Sequence, residues 1–334
     1  MGPPKAVRAI SQQAFDEMVK ENIDDLGMDP TEALQDVIDT LTLQGVDLSG
    51  TVTCVPGEGS VGDNPVIQSL DRLRQLNCDW SDRIGDEKEL EEVIGLLDKL
   101  DNVCSGEGSG NAAIATKNGG VELVCSICSK LGGGCHRGLI SALNTLASFL
   151  HDLQSTERFR ESGGAKMVVG ILMDGSQNIN ILNSCFSVIA AAATGNEVLK
   201  ESFMELKIDE LIIQILRKHC KQSIPGLYDA IRVLLTSDDN RVVASQVYGY
   251  ARKFAKVGIA EALVDSLREG LSSPSLVSAS IALKAVSVND EICRSVADSG
   301  GIDAILCCID DSGEQNNKNV ARPCCSLLSK VEDW

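Results

Sequence analysis

Aromatic side chains are scarce, at 3% of the 334 residues. Proteins that hold single-stranded nucleic acid stack bases on such rings. The chain is also acidic, with 48 Asp/Glu against 30 Lys/Arg, so it repels phosphate backbones and nucleic-acid binding is not expected. Only three histidines occur, His136, His151 and His219, with no nucleophile motif beside them, so enzymatic chemistry has little material. No apolar run approaches the roughly 18 residues of a membrane span. Met1-Gly2-Pro3-Pro4-Lys5 leads into polar helix-like sequence without the apolar centre of a secretory signal, and Ala6 stands where a myristoylation motif wants Ser or Thr. The thirteen cysteines are therefore expected as reduced thiols in cytosol or nucleus, used as small buried apolar residues.

What the chain does have is a repeated interruption. A short helix-like stretch ends at a break, and an apolar residue opens a new amphipathic run. The clearest copies are Asn118-Gly119-Gly120-Val121, Ser162-Gly163-Gly164-Ala165 and Ser299-Gly300-Gly301-Ile302. Leu206-Lys207-Ile208 and Val257-Gly258-Ile259 are degenerate copies. The first apolar residues, Val121, Ala165, Ile208, Ile259 and Ile302, are spaced by 44, 43, 51 and 43 residues. A period in the low forties without strand patterning marks a helical solenoid, which grows by stacking and offers an extended surface for another macromolecule.

Each repeat resolves into three helices. The first is short and often opens at Asn, as at Asn111, Asn196, Asn240 and Asn289. The third is the most apolar, as in Leu139, Leu143, Leu146 and Leu150, or Ile179, Leu182, Phe186, Ile189 and Ala193. The 51-residue interval places an insertion around Val242 to Lys256, lengthening the first helix of the fourth repeat. The domains read as an acidic helical module at 1–50, a linker at 51–65, a helical cap region at 66–110 and the array at 111–334. Repeats fall near 111–153, 154–195, 196–238, 239–288 and 289–330. In the first module, Phe15, Val19, Ile23 and Leu26 share one helical face, and Leu34, Val37, Ile38 and Leu41 another. Residues 1–110 carry 8 Lys/Arg against 23 Asp/Glu, whereas residues 111–334 carry 22 against 25. The acidity therefore belongs to the N-terminal third.

Two motifs imitate chemistry. Gly57-Glu58-Gly59-Ser60-Val61-Gly62 spells a dinucleotide fingerprint, but no strand precedes it and no βαβ unit surrounds it, so it reads as a loop. Cys125 and Cys128, with Cys135 and His136 nearby, have the ligand types of a zinc site. Val124, Ile127 and Leu131 make the same helix apolar, so core filling is the expected role and no cofactor is expected. A thiol- or zinc-responsive regulatory protein is the alternative reading.

The break followed by a third helix, best seen in Ala142-Leu143-Asn144-Thr145-Leu146-Ala147, resembles the armadillo repeat. Phe15-Asp16-Glu17 through Glu21-Asn22-Ile23, then Gln44-Gly45-Val46-Asp47-Leu48-Ser49, are similar to the armadillo repeat-containing protein 6 family, as is the turn Ser237-Asp238-Asp239-Asn240-Arg241. The resemblance implies an all-α, right-handed superhelical solenoid of about five three-helix repeats with an N-terminal helical extension. It also implies a non-catalytic, protein-binding scaffold whose third helices line a concave groove, with the Asn of the Ala-Leu-x-Asn-Leu pattern facing it. Counting back one turn gives the groove pairs Ile140/Asn144, Asn183/Ser187, Tyr228/Arg232, Ser280/Lys284 and Arg322/Ser326. The repeated Trp and Asn of an import-signal groove are missing. Arg232, Lys284 and Arg322 instead form a basic stripe, which points to an extended acidic segment as partner. Residues 1–50 carry the right charge to occupy that stripe from within the chain. Members of the family continue into further repeats, so a shortened solenoid is a further expectation, its uncapped last repeat, which contains Pro323, being either the least stable part or covered by self-association.

Overall fold

The computed structural model describes residues 8–48, 51, 53, 64–79, 87–106, 110–131, 134–174, 178–219, 222–236, 244–269, 275–287, 290–315 and 317–331. The Gly57–Gly62 motif, Asn240, Asn289 and the Ser237–Arg241 turn lie outside these residues. Helices α1 (Gln12–Asp24) and α2 (Pro30–Leu43) pack on each other, closed by strands β1 (Arg8–Ala9) and β2 (Val46–Asp47) in parallel register, Arg8 opposite Val46. Their core is their own: Phe15, Val19, Ala33, Val37 and Leu41 are buried together and separate from the rest. Leu26 was expected on that face but is 69% exposed, because α1 ends at Asp24, before Leu26 turns inward.

The remaining helices stack. They are α3 (Pro65–Asp79), α4 (Glu87–Cys104), α5 (Asn111–Lys117), α6 (Gly120–Leu131), α7 (His136–Phe149), α8 (Leu153–Glu161), α9 (Gly164–Met173) and α10 (Ile179–Ala193). They continue as α11 (Glu197–Glu205), α12 (Ile208–Lys218), α13 (Pro225–Leu234), α14 (Ala244–Lys256), α15 (Ile259–Arg268), α16 (Leu276–Val286), α17 (Asp290–Asp298), α18 (Gly301–Glu314) and α19 (Lys318–Val331). From α5 onward they group in threes. The third helices α7, α10, α13, α16 and α19 pack each on the next, and the second helices α6, α9, α12, α15 and α18 form a parallel ladder behind them. Among first helices, α14 runs 13 residues where α8, α11 and α17 run 9, so extra residues of the long interval lie in it.

The cap region extends the ladder. α3 packs against α6 and α4 against α7, so the two occupy the places of a second and a third helix. Buried Thr145 on α7 donates to the Leu97 carbonyl of α4 at 2.9 Å, while its neighbour Ser148 donates to the Asp101 carboxylate. One continuous core runs from Val66 on α3 to Val331 on α19. All six phenylalanines are fully buried, five of them in this array core.

The break between first and second helices has two distinct requirements. Its first residue turns left-handed: φ is 71° at Gly119, 69° at Gly163, 60° at Lys207, 92° at Gly258 and 73° at Gly300. An L side chain there costs about 1–2 kcal/mol, and Lys207 is the one that bears it. Where a second glycine follows, at Gly120, Gly164 and Gly301, that residue lacks space rather than freedom, whereas Ile208 and Ile259 fill the same place in the two degenerate breaks. A Cβ on Gly164 would sit 2.3 Å from the ring of buried Phe159. Arginines from the preceding second helix brace some of these corners: Arg74 Nη2 donates to the Asn118 carbonyl at 2.8 Å and Arg268 Nη2 to the Ser299 carbonyl at 2.6 Å. Each is held by an aspartate three residues earlier, Asp71 and Asp265.

Other caps are local. Asn196 begins α11 by accepting from the Leu199 amide, and its own amide donates to Thr156 Oγ1 of the preceding repeat at 3.0 Å. Lys200 is completely buried, bound to Glu197 at 3.0 Å and to the Thr236 carbonyl at 2.7 Å, so it ties the start of the third repeat to its end. α19 runs unbroken through half-buried Pro323.

Three substitutions at these corners are expected to differ in cost. Gly164→Ala is expected to cost about 3 kcal/mol, since the ring it meets is locked in the core. Gly163→Ala faces open space and is expected to cost about 1–2 kcal/mol from backbone strain alone. Lys207→Gly relieves that strain but frees the unfolded chain, for a net gain below about 1 kcal/mol. Urea midpoints measure the order, and equal costs at Gly163 and Gly164 would refute the division of labour.

Candidate protein-binding groove

The third helices place the expected groove residues at successive rungs, but not all at the surface. Ile140 and Asn144 on α7 are half-buried. Asn144 Oδ1 accepts from Ser184 Oγ of α10 at 2.7 Å, which orients its amide. On α10, Asn183 Oδ1 accepts from the Gly226 backbone N–H at 2.9 Å, so α10 holds α13 through a side chain. A Cβ on Gly226 would lie 2.7 Å from the Asn183 carbonyl oxygen and 2.9 Å from Ser187 Oγ, so this close approach of α10 and α13 requires glycine. In both asparagines the oxygen is committed to the next rung, leaving the amide N–H groups as the polar atoms to offer a ligand.

Further along, two residues of the expected set do not reach solvent. Tyr228 is buried, with its hydroxyl donating to Ser266 Oγ of α15 at 3.3 Å. Ser280 is fully buried and donates to the Val277 carbonyl. Tyr228 therefore ties the third repeat to the fourth, while Ser280 is satisfied within its own helix. The cations are outside: Arg232 is half-exposed and 3.6 Å from Asp229, while Lys284 and Arg322 are exposed, with Ser326 half-buried near the end of the ladder. Arg232 on α13 and Lys284 on α16 occupy adjacent rungs.

Sequence reasoning missed the rung before Asn144. The buried positions Val93, Leu97, Leu100 and Cys104 of α4 recur 46 residues later as Leu139, Leu143 and Leu146 of α7 and its C-cap Leu150. That spacing was present in the sequence. It went unread because no first helix or glycine break introduces α3 and α4.

The thiols face inward. Cys125 and Cys128 on α6 are 5% and 0% exposed, and burial pushes the Cys125 thiol up to about 12 and the Cys128 thiol well above its ordinary value. Cys135 caps α7, its sulfur accepting from the Gly138 amide, while His136 is exposed. Zinc takes thiolates, so an environment that favours the protonated thiol works against that ligand set. Among the described residues no cluster of three or more His, Cys, Asp or Glu gathers as a metal site. Nor is any described helix long and apolar enough to cross a membrane. The hydrogen bond between Cys324 of α19 and Cys308 of α18, together with burial, pushes the Cys324 thiol up, while at Cys308 the same bond outweighs burial and pushes that thiol down.

Comparison with known proteins bears on this arrangement. Residues 7–73 match the family model described as the armadillo repeat-containing protein 6 N-terminal domain. The human armadillo repeat-containing protein 6 is 22% identical over 320 residues, covering 93% of this chain and 62% of its own. The Drosophila melanogaster homolog is 22% identical over 308 residues, covering 90% and 63%. The chain thus spans about three-fifths of the length of these relatives. Among solved structures, the designed armadillo repeat protein YIII(Dq)4CqI superposes with a TM-score of 0.60 at 17% identity, covering 78% of this chain and 98% of its own. A related design in complex with the peptide (KR)4 gives the same TM-score, identity and coverage. A chain from work on the interaction between cadherin and beta-catenin superposes with a TM-score of 0.51 at 15% identity, over 80% of this chain and 57% of its own. The similarity to the armadillo repeat-containing protein 6 family therefore extends along most of the chain, and the fold is an all-α armadillo solenoid, with one two-residue β pairing at its N-terminal module.

Thiol placement gives a measurable order. In native protein, iodoacetamide is expected to label exposed Cys78, Cys307 and Cys325 first, and Cys125, Cys128 and Cys185 only as the array opens. Similar rates at all six would contradict it. The raised thiols also make stability depend on pH. It is fully present below the unfolded thiol value near 9 and is lost as pH rises toward about 12, because only the unfolded chain ionises in that window.

Proposed function

We propose that this chain is a non-catalytic scaffold that holds a segment of another protein along its ladder of third helices. The observation that carries this is the orientation of Asn144 and Asn183. Each amide is fixed by a hydrogen bond to the neighbouring rung, and its N–H groups remain to meet a peptide backbone. An extended chain exposes carbonyls on both sides, so donors held at successive rungs suit it without demanding a particular sequence. The armadillo fold supports a protein-interaction role, and a designed relative in that fold carries a bound peptide. Arg232, Lys284 and Arg322 supply the charge preference, for carboxylate-bearing residues on that part of the segment. The phenylalanines, Tyr228 and Tyr250 are buried, so none of these rings is an anchor for the segment.

The acidic residues 8–48 are a poorer fit as an intramolecular occupant than their charge alone implies, since they fold on a core of their own rather than as an extended chain. The test is capture of partners from lysate by the full chain, compared with N144A/N183A and with R232E/K284E/R322E. Loss of two amide contacts is expected to weaken capture by roughly tenfold, at about 0.5–1.5 kcal/mol per hydrogen bond. The charge reversal is expected to weaken it further at low salt and less at high salt. Partners retained at full strength by both variants would place binding elsewhere and sink the proposal.

A further inference from the structure

The ladder begins one rung earlier than the five repeats imply, and that rung carries the opposite charge. α4 stands against α7 as α7 stands against α10. Thr145 reaches the Leu97 carbonyl, Ser148 reaches Asp101, and Arg137 pairs with Glu91 at 2.9 Å. The 46-residue register of buried positions sets Asp98 of α4 opposite Asn144 of α7. Shifts that superpose the later buried sets continue the line through Ser187 on α10, Arg232 on α13 and Lys284 on α16. The central line of the groove therefore runs from a carboxylate through an amide and a hydroxyl to a guanidinium and an ammonium. Asp98 is exposed, and Glu91 and Asp101 lie on the same side of α4. Among the described residues, Arg137 pairs with Glu91 at one end, and Asp229 lies 3.6 Å from Arg232 at the other. Neither reverses the sign of its end.

A segment of uniform charge meets repulsion somewhere along this line. An acidic one opposes Asp98 and its neighbours, and a basic one opposes Arg232 and Lys284. Residues 1–50 of this chain contain ten Asp/Glu against three Lys/Arg, so they match the α13–α16 end only. We infer that the occupant is a bipolar segment of another protein, cationic where it crosses α4 and anionic where it crosses α13 and α16, with an uncharged stretch between. Packed helices stand roughly 8–10 Å apart, so three steps from α4 to α13 span about 30 Å. At roughly 3.3 Å per extended residue, the two charged blocks are centred about nine residues apart. This rests on the groove reading above and adds to it the sign and spacing of the ligand.

Fluorescein-labelled synthetic peptides titrated into the full chain test it. One carries a Lys/Arg block and an Asp/Glu block centred nine residues apart across Ser/Asn, and two controls replace one block by the other, giving all-acidic and all-basic peptides. The bipolar peptide is expected to bind at least tenfold tighter than either control at low salt, with the advantage shrinking as salt rises. D98K is expected to remove the preference over the all-acidic peptide, and R232E/K284E the preference over the all-basic one. If the all-acidic peptide binds as tightly as the bipolar one and D98K changes nothing, α4 takes no part and this inference fails while the groove reading stands. If none of the three peptides binds, or N144A/N183A leaves bipolar binding unchanged, both fail together.

Discussion

Every element of the array depends on the burial of one repeat against the next. A third helix such as α10 buries Leu182, Cys185, Phe186 and Ile189, and no single partner covers them all: α9, α7 and α13 each take a share. The hydrophobic area removed from water is therefore shared between neighbours, and each repeat is stable only in company. Polar groups at the seams follow the same rule. Thr145, Asn196 and Gly226 each make a hydrogen bond across a repeat boundary. A seam that lost its neighbour would expose an apolar face and break these cross-boundary bonds, at about 0.5–1.5 kcal/mol for each.

That constraint also produces the groove. Stacking third helices in register brings one residue per helix to the same line, so any polar side chain there is repeated at helix spacing. At Asn144 and Asn183 the side-chain oxygen holds the next rung, and the amide nitrogen is the atom that the proposed function assigns to a ligand. The charge change from Asp98 to Lys284 is a property of the stack and not of any single helix.

The sequence made much of this legible, and what it hid has physical causes. The breaks were readable because a left-handed residue followed by a crowded one selects Gly-Gly at Gly119-Gly120, Gly163-Gly164 and Gly300-Gly301. The core role of Cys125 and Cys128 was readable from the apolar company of α6. The rung at α4 was not, since the two helices before the first repeat lack the first helix and break that announce a unit. Tyr228 and Ser280 were placed at the surface because helical counting fixes a face only to within a residue or so. A tyrosine or serine fits a seam as well as a groove. Leu26 failed for a simpler reason, as α1 stops two residues short of it.

The continuity of the stack from α4 onward is the claim on which the rest stands, and native-state hydrogen exchange tests it most directly. With Leu97→Ala on α4, a cavity opens at the α4–α7 seam. Faster exchange is expected in α4 and α7 together, while α1 and α2, on their separate core, remain as in the parent protein. If α4 instead exchanges independently of α7, or opens together with α1 and α2, then α4 is not the first rung and the graded groove does not exist.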